Sequence, residues 1–434
     1  MTASTIAAVR GRRIWDSRGR PTLEVEVATA GGARGRAIAP AGASTGSGEA
    51  LDLRDGGAAF GGHDVRRALA GIEAEIAGAL DGLDAADQAA VDARLIGLDG
   101  TAQKTRLGGN ALIATSMAVA HAAAAVRGVP LWRHLAGEGA PGPLPLPEIQ
   151  ICGGGAHAGR RIDIQDIMVV AVGAPDYPTA LDWTAEVYRA CGRTLEAQGR
   201  LHGVADEGGF WPAFDTNEEA LATVTGAIEA AGLRPGEDMA LSLDIAASEF
   251  GEGGRYRLAR EDRALDTGEM VAMIADWRGR YPVVSIEDPL AEDDEAGLAA
   301  VTARLGATTQ IIGDDYLVTD AERVRRGAAA GACNALLVKP NQAGTLTEAR
   351  AALDAARAAG WSAVVSARSG ESEDVTIVHL AVGWGVAQLK VGSFARSERM
   401  AKWNEGLRLA ETLPTGAALP PAGAMPWNAG GGRR

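Results

Sequence analysis

The stretch Val283-Val284-Ser285-Ile286-Glu287, a short apolar run that ends in an acid, decides the fold. Five similar runs lie in the second half of the chain, at 241–244, 311–314, 336–339, 364–366 and 388–390. From Glu287 onward, the last residues of these runs follow one another at intervals of 24 to 27 residues. This spacing is the length of a strand, a helix and two loops, so it predicts repeated βα units that close into a β/α barrel.

A different pattern precedes the barrel. Residues 22–28 read Thr-Leu-Glu-Val-Glu-Val-Ala, an alternation typical of a half-buried antiparallel strand. Helical patterns follow at 65–80 and 110–126, and another at 345–359 lies between two barrel runs. We therefore predict an α/β chain with four parts. They are an N-terminal α+β capping domain at 1–136, a linker at 137–147, the β/α barrel at 148–419 and a loosely ordered tail at 420–434.

Composition and charge exclude several classes of protein. The net charge of −14 over 434 residues disfavours a broad surface for nucleic acid or an anionic membrane. The first 13 residues lack the apolar stretch of a signal peptide, and we find no run of about 18 apolar residues, so we expect a cytoplasmic protein. The three cysteines are odd in number and widely spaced, which predicts reduced, buried thiols.

Lysine is scarce in this sequence. Only four of the 42 basic residues are lysines, at positions 104, 339, 390 and 402. Arginine does not release its proton near neutral pH, whereas lysine can serve as a base or a compact charge, so these positions are informative. The alternative is that four lysines remain by chance on the surface.

The ends of the predicted strands carry the chemistry. In β/α barrels, catalytic groups project from the carboxyl ends of the strands, which here are Asp244, Glu287, Asp314, Lys339, Ser366 and Lys390. The three carboxylates are hard oxygen ligands that favour Mg²⁺ or Mn²⁺, although they could instead cap the helices that follow. A cation beside Lys339 would lower its pKa toward the range of a base. We expect removal of a proton α to a carboxylate, with the metal stabilising the charge that forms.

Four other segments give weaker signals. Glu207 could be a general acid or part of a solvated loop, and residues 40–46 could be a mobile lid or only a turn. Arg368 and Ser369 offer a guanidinium and a hydroxyl to a phosphate. His157 lies in a Gly-rich stretch, where a single histidine is more often structural than catalytic.

Six motifs, read together, resemble those of the enolase family from about residue 6 to residue 413. They lie at 16–22, 42–46, 206–210, 285–289, 341–348 and 396–399. The resemblance implies an N-terminal capping domain, an enolase-type barrel of the TIM class, and one or two Mg²⁺ ions in each active site. It also implies a small phosphorylated carboxylic acid as substrate, with a homodimer or higher homo-oligomer as the assembly.

Roles for individual residues follow from the same resemblance. It implies metal ligands at Asp244, Glu287 and Asp314, a base at Lys339 and a general acid at Glu207. Substrate contacts are implied at Lys390, Arg368, Ser369 and Gln165, and Ser44 of the lid would reach both the substrate and a second Mg²⁺. His157 and Asp166 join the catalytic set in the same way.

Departures from the family pattern concentrate on one side of the implied site. Ala367 stands where the family has histidine, and Asp166 stands where it has glutamate. Both positions lie, in the family, near the hydroxyl that leaves as water. The residues for metal binding and proton abstraction are unchanged.

These departures lead to three functional hypotheses. The first is a diverged family member that resembles carboxyphosphonoenolpyruvate synthase of phosphinate biosynthesis. Such an enzyme would join an enolpyruvate unit to phosphonoformate carried on CMP, with the second group placed in the space at Ala367. The second is ordinary dehydration of 2-phosphoglycerate to phosphoenolpyruvate. The third is a non-catalytic binding protein, which the retained lysines and carboxylates argue against.

Overall fold

The chain begins with a three-stranded antiparallel sheet, seen in a computed structural model that describes residues 2–428. Its strands, β1 (Ile6–Trp15), β2 (Pro21–Thr29) and β3 (Arg34–Ile38), pair in that order with β2 in the centre. The alternation predicted from residue 22 is confirmed, since Leu23, Val25 and Val27 on one face of β2 are fully buried.

Five helices follow this sheet, and the first, second and fourth of them pack against it. They are α1 (Arg66–Gly71), α2 (Ala77–Leu80), α3 (Gln88–Asp99), α4 (Gly109–Val126) and α5 (Leu131–Ala136). The single helix predicted at 65–80 is α1 and α2 joined by a π-helical segment, Ile72–Ile76. Among the described residues, α4 alone is long and apolar enough to cross a membrane, and it is 83% buried within the protein. It packs against β2 and β3, so its apolar character is that of a core helix.

Eight strands form a closed barrel after this domain. They are β4 (Leu146–Gly153), β5 (Asp166–Val170), β6 (Ala240–Asp244), β10 (Val283–Glu287), β11 (Gln310–Gly313), β12 (Ala335–Val338), β13 (Ser362–Ser366) and β14 (Gln388–Ser393). A small antiparallel sheet, β7 (Gly251–Glu252), β8 (Arg255–Leu258) and β9 (Arg263–Asp266), follows β6. The predicted α/β architecture, an α+β domain followed by a β/α barrel, is confirmed.

Helices surround the barrel strands. They are α6 (Tyr177–Ala197), α7 (Asn217–Ala230), α8 (Thr267–Arg280), α9 (Glu295–Leu305), α10 (Ala321–Ala330), α11 (Pro340–Ala343), α12 (Leu346–Ala358), α13 (Thr376–Trp384) and α14 (Ser397–Ala410). The helix predicted at 345–359 is α12. All three cysteines are free and buried, as predicted.

Two details of the barrel differ from the prediction. Strand β5 runs antiparallel to both of its neighbours, so its first residue lies at the rim where the parallel strands end. Strand β14 does not end at Lys390 but continues to Ser393, with an irregularity in its pairing just after Lys390. Lys390 therefore belongs to the strand itself.

The predicted domain limits fall close to the ends of regular elements. Residues 137–145 lack helix and strand, whereas β4 already begins at Leu146, inside the predicted linker. In the predicted tail, Met425 is buried against Leu146 and Val170. Residues 429–434 of that tail lie outside the described residues. The limits themselves stay predictions.

Candidate active site

Three buried carboxylates lie at the carboxyl-terminal rim of the barrel. Asp244 is the last residue of β6, Glu287 is the last residue of β10, and Asp314 directly follows β11. Each is at most 4% exposed. Because neighbouring parallel strands end on the same side of a barrel, residues far apart in sequence meet here, as predicted.

Lys390 bridges two of these acids. Its Nζ donates to Asp244 Oδ2 at 2.7 Å and to Glu287 Oε2 at 2.8 Å. Burial by itself would lower the pKa of Lys390, but Asp244 and Glu287 outweigh burial and hold that pKa well above its ordinary value. The ammonium group is therefore fully charged at neutral pH.

Lys339, which directly follows β12, contacts the third acid. Its Nζ donates to Asp314 Oδ2, and Gln342 Nε2 donates to Asp314 Oδ1 at 2.8 Å. Burial alone would lower the pKa of Lys339. The Asp314 carboxylate opposes burial and helps to raise that pKa above its ordinary value. The lowered pKa that we predicted for a base would therefore need a bound cation that offsets the negative charge of these carboxylates.

The three carboxylates, Asp244, Glu287 and Asp314, fit a divalent cation. All three offer hard oxygen atoms, and Glu287 Oε1 is buried without a hydrogen-bond partner. Burial, followed by repulsion from Asp244, raises the pKa of Glu287 well above its ordinary value. A cation at this point would supply the missing partner and relieve the repulsion, so the site suits Mg²⁺.

Two groups of three closely spaced potential metal ligands were not predicted as groups from the sequence. The ligand atoms of Asp288, Asp314 and Asp315 lie within 4.8 Å of one another, and so do those of His157, Asp166 and Glu207. In the first group, however, Asp288 accepts the backbone N–H groups of Asp314 and Asp315, both at 2.8 Å. Asp288 therefore holds the loop that presents Asp314.

The second group forms the opposite wall of the site. His157 Nε2 lies 3.2 Å from Asp166 Oδ1, and His157 Nδ1 lies 3.9 Å from Glu207 Oε1. Burial would lower the pKa of His157, but Asp166 and Glu207 raise it to about 9. Burial would also raise the pKa of Asp166, and the charge of His157 reverses this and lowers it. The imidazole of His157 is therefore charged at neutral pH, and it lies between the side chains of Asp166 and Glu207.

Gln165 connects the two walls. It precedes β5, and its Nε2 donates to Asp244 Oδ2 at 2.8 Å, the same oxygen that Lys390 contacts. Lys390 Nζ also lies 3.7 Å from Asp166 Oδ2. Lys390 thus links Asp244 of β6 to Asp166 of β5, and the Gln165 amide contacts the same oxygen of Asp244.

Arg368 and Ser369 follow β13 and lie next to the predicted lid. Arg368 Nη2 donates to the carbonyl of Ser44 at 2.9 Å, and its Nη1 donates to Glu49 Oε2 at 3.0 Å. Ser369 Oγ accepts from Arg18 Nη1 at 3.3 Å. A Cβ on Gly42 would lie 2.0 Å from Arg368 Nη2, so only glycine permits this approach of the lid.

One small cavity joins these groups. It is lined by Gly42, Ala43, Ser44, His157, Gln165, Asp166, Glu207, Lys339, Ser366, Ala367, Arg368, Ser369, Lys390 and Val391. Ala367 is 7% exposed and offers a methyl group to the cavity, with its backbone N–H bonded to the carbonyl of Lys390. Every predicted site residue thus lines this cavity or, like Asp244, Glu287 and Asp314, lies in hydrogen-bond contact with a residue that does. Their roles stay predictions.

Sequence reasoning missed Glu49 and Gln342. Glu49 accepts from both Arg368 and Gln342, and it pairs the small domain with the barrel. Gln342 lies in one of the six motifs, but no rule of spacing relates Glu49 to residues about 300 positions later. Only the docking of the small domain on the barrel brings them together.

Comparison with known proteins gives matches along the whole chain. The family model "Enolase, N-terminal domain" matches residues 6–135, and "Enolase, C-terminal TIM barrel domain" matches residues 142–424. A protein named Enolase from Rubrobacter xylanophilus is 50% identical over 421 residues, which cover 97% of this chain and 98% of that protein. Enolase 1 of Desulfitobacterium hafniense is 46% identical over 428 residues, which cover 98% of each chain.

Proposed function

Because the chain belongs to the enolase family, we propose that it dehydrates 2-phosphoglycerate to phosphoenolpyruvate. The observation that carries this proposal is the meeting of Lys339 and Lys390 with three carboxylates at one barrel rim. The two relatives above, both named enolase, support it as well. They favour this reaction over the phosphonate chemistry that we put first from the sequence.

Lys339 is the proposed base. Its Nζ would take the proton next to the substrate carboxylate, and Lys390 would pair with that carboxylate. Members of the family are in general Mg²⁺-dependent, and one or two Mg²⁺ ions, held by Asp244, Glu287 and Asp314, would stabilise the negative charge that the carboxylate gains. The carboxylates raise the pKa of Lys339. Bound Mg²⁺ would offset their negative charge, and this decides whether the lysine can act as a base.

Glu207 is the proposed acid on the other wall. It would donate a proton to the hydroxyl that leaves as water, and the charged imidazole of His157 beside it would hold Asp166 in place. Arg368 and Ser369 would bind the phosphate, and Ser44 would contribute a hydroxyl to a second Mg²⁺ from the lid.

The second candidate is formation of carboxyphosphonoenolpyruvate from an enolpyruvate unit and CMP-phosphonoformate. The observation in its favour is the methyl side chain of Ala367 in the cavity wall, where the family resemblance implies an imidazole. The comparisons do not support it. It would require a CMP-linked co-substrate and a reaction that ordinary family members do not perform.

One assay separates these candidates. The purified protein is given Mg²⁺ and 2-phosphoglycerate, and phosphoenolpyruvate formation is followed, with Lys339→Met as the inactive control. Rapid turnover in the wild type supports dehydration. No turnover, together with CMP release from CMP-phosphonoformate and phosphoenolpyruvate, supports the second candidate. If neither substrate is consumed while Mg²⁺ still binds, the chain is a binding protein.

We also propose that the protein acts in the cytoplasm as a homodimer or higher homo-oligomer, without nucleic-acid or membrane partners. The net charge of −14 supports the exclusion of anionic partners. Size-exclusion chromatography with light scattering tests the oligomeric state.

A further inference from the structure

All four lysines are buried, including the two that lie outside the cavity. Lys104 is 3% exposed and Lys402 is fully buried. A chain that uses arginine for 38 of its 42 basic residues thus keeps lysine only at enclosed positions. An ammonium group is a compact point charge and a guanidinium is a planar one, so the two are not interchangeable at such positions.

Lys402 contacts the segment that carries the proposed phosphate ligands. This segment, 367–375, connects β13 to α13, and Lys402 lies on α14 behind it. Lys402 Nζ donates to the carbonyl of Ser372 at 2.7 Å and lies 2.9 Å from Glu371 Oε2. The other carboxylate oxygen, Glu371 Oε1, accepts the backbone N–H of Arg368 at 2.9 Å. Two polar contacts in series, through Glu371, therefore lead from Lys402 to the backbone of Arg368.

The same face of α14 provides a second cation. Arg399 lies one turn before Lys402, and its guanidinium donates to the carbonyls of Arg368, at 2.7 Å, and Ser369, at 2.5 Å. The segment contains no helix and only an isolated bridge from Gly370 to Ala41. Besides a few backbone hydrogen bonds to residues 17, 41 and 390, its position is therefore set by side chains such as those of Arg399 and Lys402.

We propose that Lys402 is a positioning residue for phosphate binding: through Glu371 and the Ser372 carbonyl, it fixes the backbone from which Arg368 and Ser369 reach the substrate. This inference rests on the proposed function, which assigns the phosphate to Arg368 and Ser369. Lys402 itself does not line the cavity, so it acts on the substrate only through the segment. Its full burial makes both contacts strong, because no water competes for them.

The test compares Lys402→Met with the wild type in two measurements. Calorimetry gives the dissociation constant for phosphoenolpyruvate in the presence of Mg²⁺, and steady-state kinetics give KM and kcat for 2-phosphoglycerate. We expect the dissociation constant and KM to rise about tenfold, the effect of one lost charged hydrogen bond, with kcat within about threefold of the wild type.

A second variant keeps the inference testable if Lys402→Met does not fold. Lys402→Met removes the cation beside the buried carboxyl of Glu371, so we also test Lys402→Met with Glu371→Gln, which replaces both members of the ion pair by neutral side chains. Glutamine keeps an oxygen for the Arg368 N–H, while the Ser372 carbonyl still lacks its donor. We expect this double variant to fold and to keep the raised dissociation constant.

Lys104→Met is the matched control. Lys104 is also buried and pairs with Glu348 at 2.8 Å, at the contact between the small domain and α12. We expect its melting temperature to fall while its affinity for phosphoenolpyruvate stays unchanged. Wild-type affinity in folded Lys402 variants would overturn the inference, as would equal loss of affinity in Lys104→Met. A wild type that binds phosphoenolpyruvate without consuming 2-phosphoglycerate would refute only the proposed function.

Discussion

The two walls of the cavity are built in opposite ways. On the metal side, three carboxylates at the ends of parallel strands meet two ammonium groups, from Lys339 and Lys390. On the other side, one imidazole lies between two acids, Asp166 and Glu207. Strand ends of a closed barrel fix the first wall, whereas His157 lies on a one-turn 3-10 helix, Ala156–Ala158, and Glu207 lies in a turn. The departures from the family at Asp166 and Ala367 lie on or near the second wall, where a side chain can change without moving the barrel.

Removing the base should have the largest effect. Lys339→Met should lower kcat for 2-phosphoglycerate by about 10²–10⁴-fold, because no other described residue at this rim can take its place as a base facing Asp314. Steady-state kinetics at saturating Mg²⁺ measure the loss. Lys104→Met, a buried lysine outside the cavity, should keep kcat near the wild-type value. If Lys339→Met retains wild-type kcat, the metal side does not perform the chemistry.

Removing one carboxylate should weaken metal binding. Glu287→Gln should raise the Mg²⁺ dissociation constant by about 100-fold, because it removes one of three charged ligands and the unpaired Oε1. Calorimetric titration with Mg²⁺ measures this. The control is Glu148→Gln, a fully buried carboxyl on β4 that bonds to Ser242, and it should bind Mg²⁺ like the wild type. Equal loss in both variants would point to general damage to the barrel.

Restoring the imidazole tests the second wall. Ala367→His should raise dehydration of 2-phosphoglycerate about tenfold, at the low end for an added acid or base because nothing yet orients it. Ala367→Asn adds a side chain of similar reach that does not titrate near neutral pH, so it controls for volume. Lower dehydration in both variants would mean that the space at residue 367 is needed by the natural substrate, which favours the second candidate.

The same contrast explains what the sequence could predict. The barrel and its rim follow from the periodic apolar runs, and Glu287, Asp314 and Lys339 lie where the strand-end rule places them. The direction of β5 does not follow, because Asp166 begins its strand and reaches the rim only through antiparallel pairing. The pattern of apolar residues identifies a strand but does not give its direction in the sheet.

Side-chain pairs between distant segments could not be predicted from the sequence either. The pair of Glu49 with Arg368 depends on how the small domain docks, and the pair of His157 with Asp166 depends on how the 3-10 helix after β4 meets the first residue of β5. The family resemblance placed Arg368, His157 and Asp166 in one site without giving their partners, and it did not include Glu49. The charge state of His157, raised by its neighbours, follows only from those partners.

That charge state gives the smallest predicted effect. The pKa of His157 is about 9 in the folded protein, above its unfolded value of about 6.5. Its stabilisation is therefore complete below about pH 6.5 and is lost as the pH rises through about 9. The loss should be about 1–3 kcal/mol, which lowers the melting temperature by a few degrees. Thermal unfolding at pH 6.5 and pH 9.5 measures it.

Two variants isolate this histidine from the other groups that titrate. In His157→Gln, stability should lose the part of its pH dependence that His157 contributes. In His202→Gln, which alters an exposed histidine, stability should keep that pH dependence. If all three proteins lose the same stability between the two pH values, His157 does not carry a charge in the folded state. The second wall would then consist of two acids without a cation between them, and Asp166 would need another partner to stay ionised.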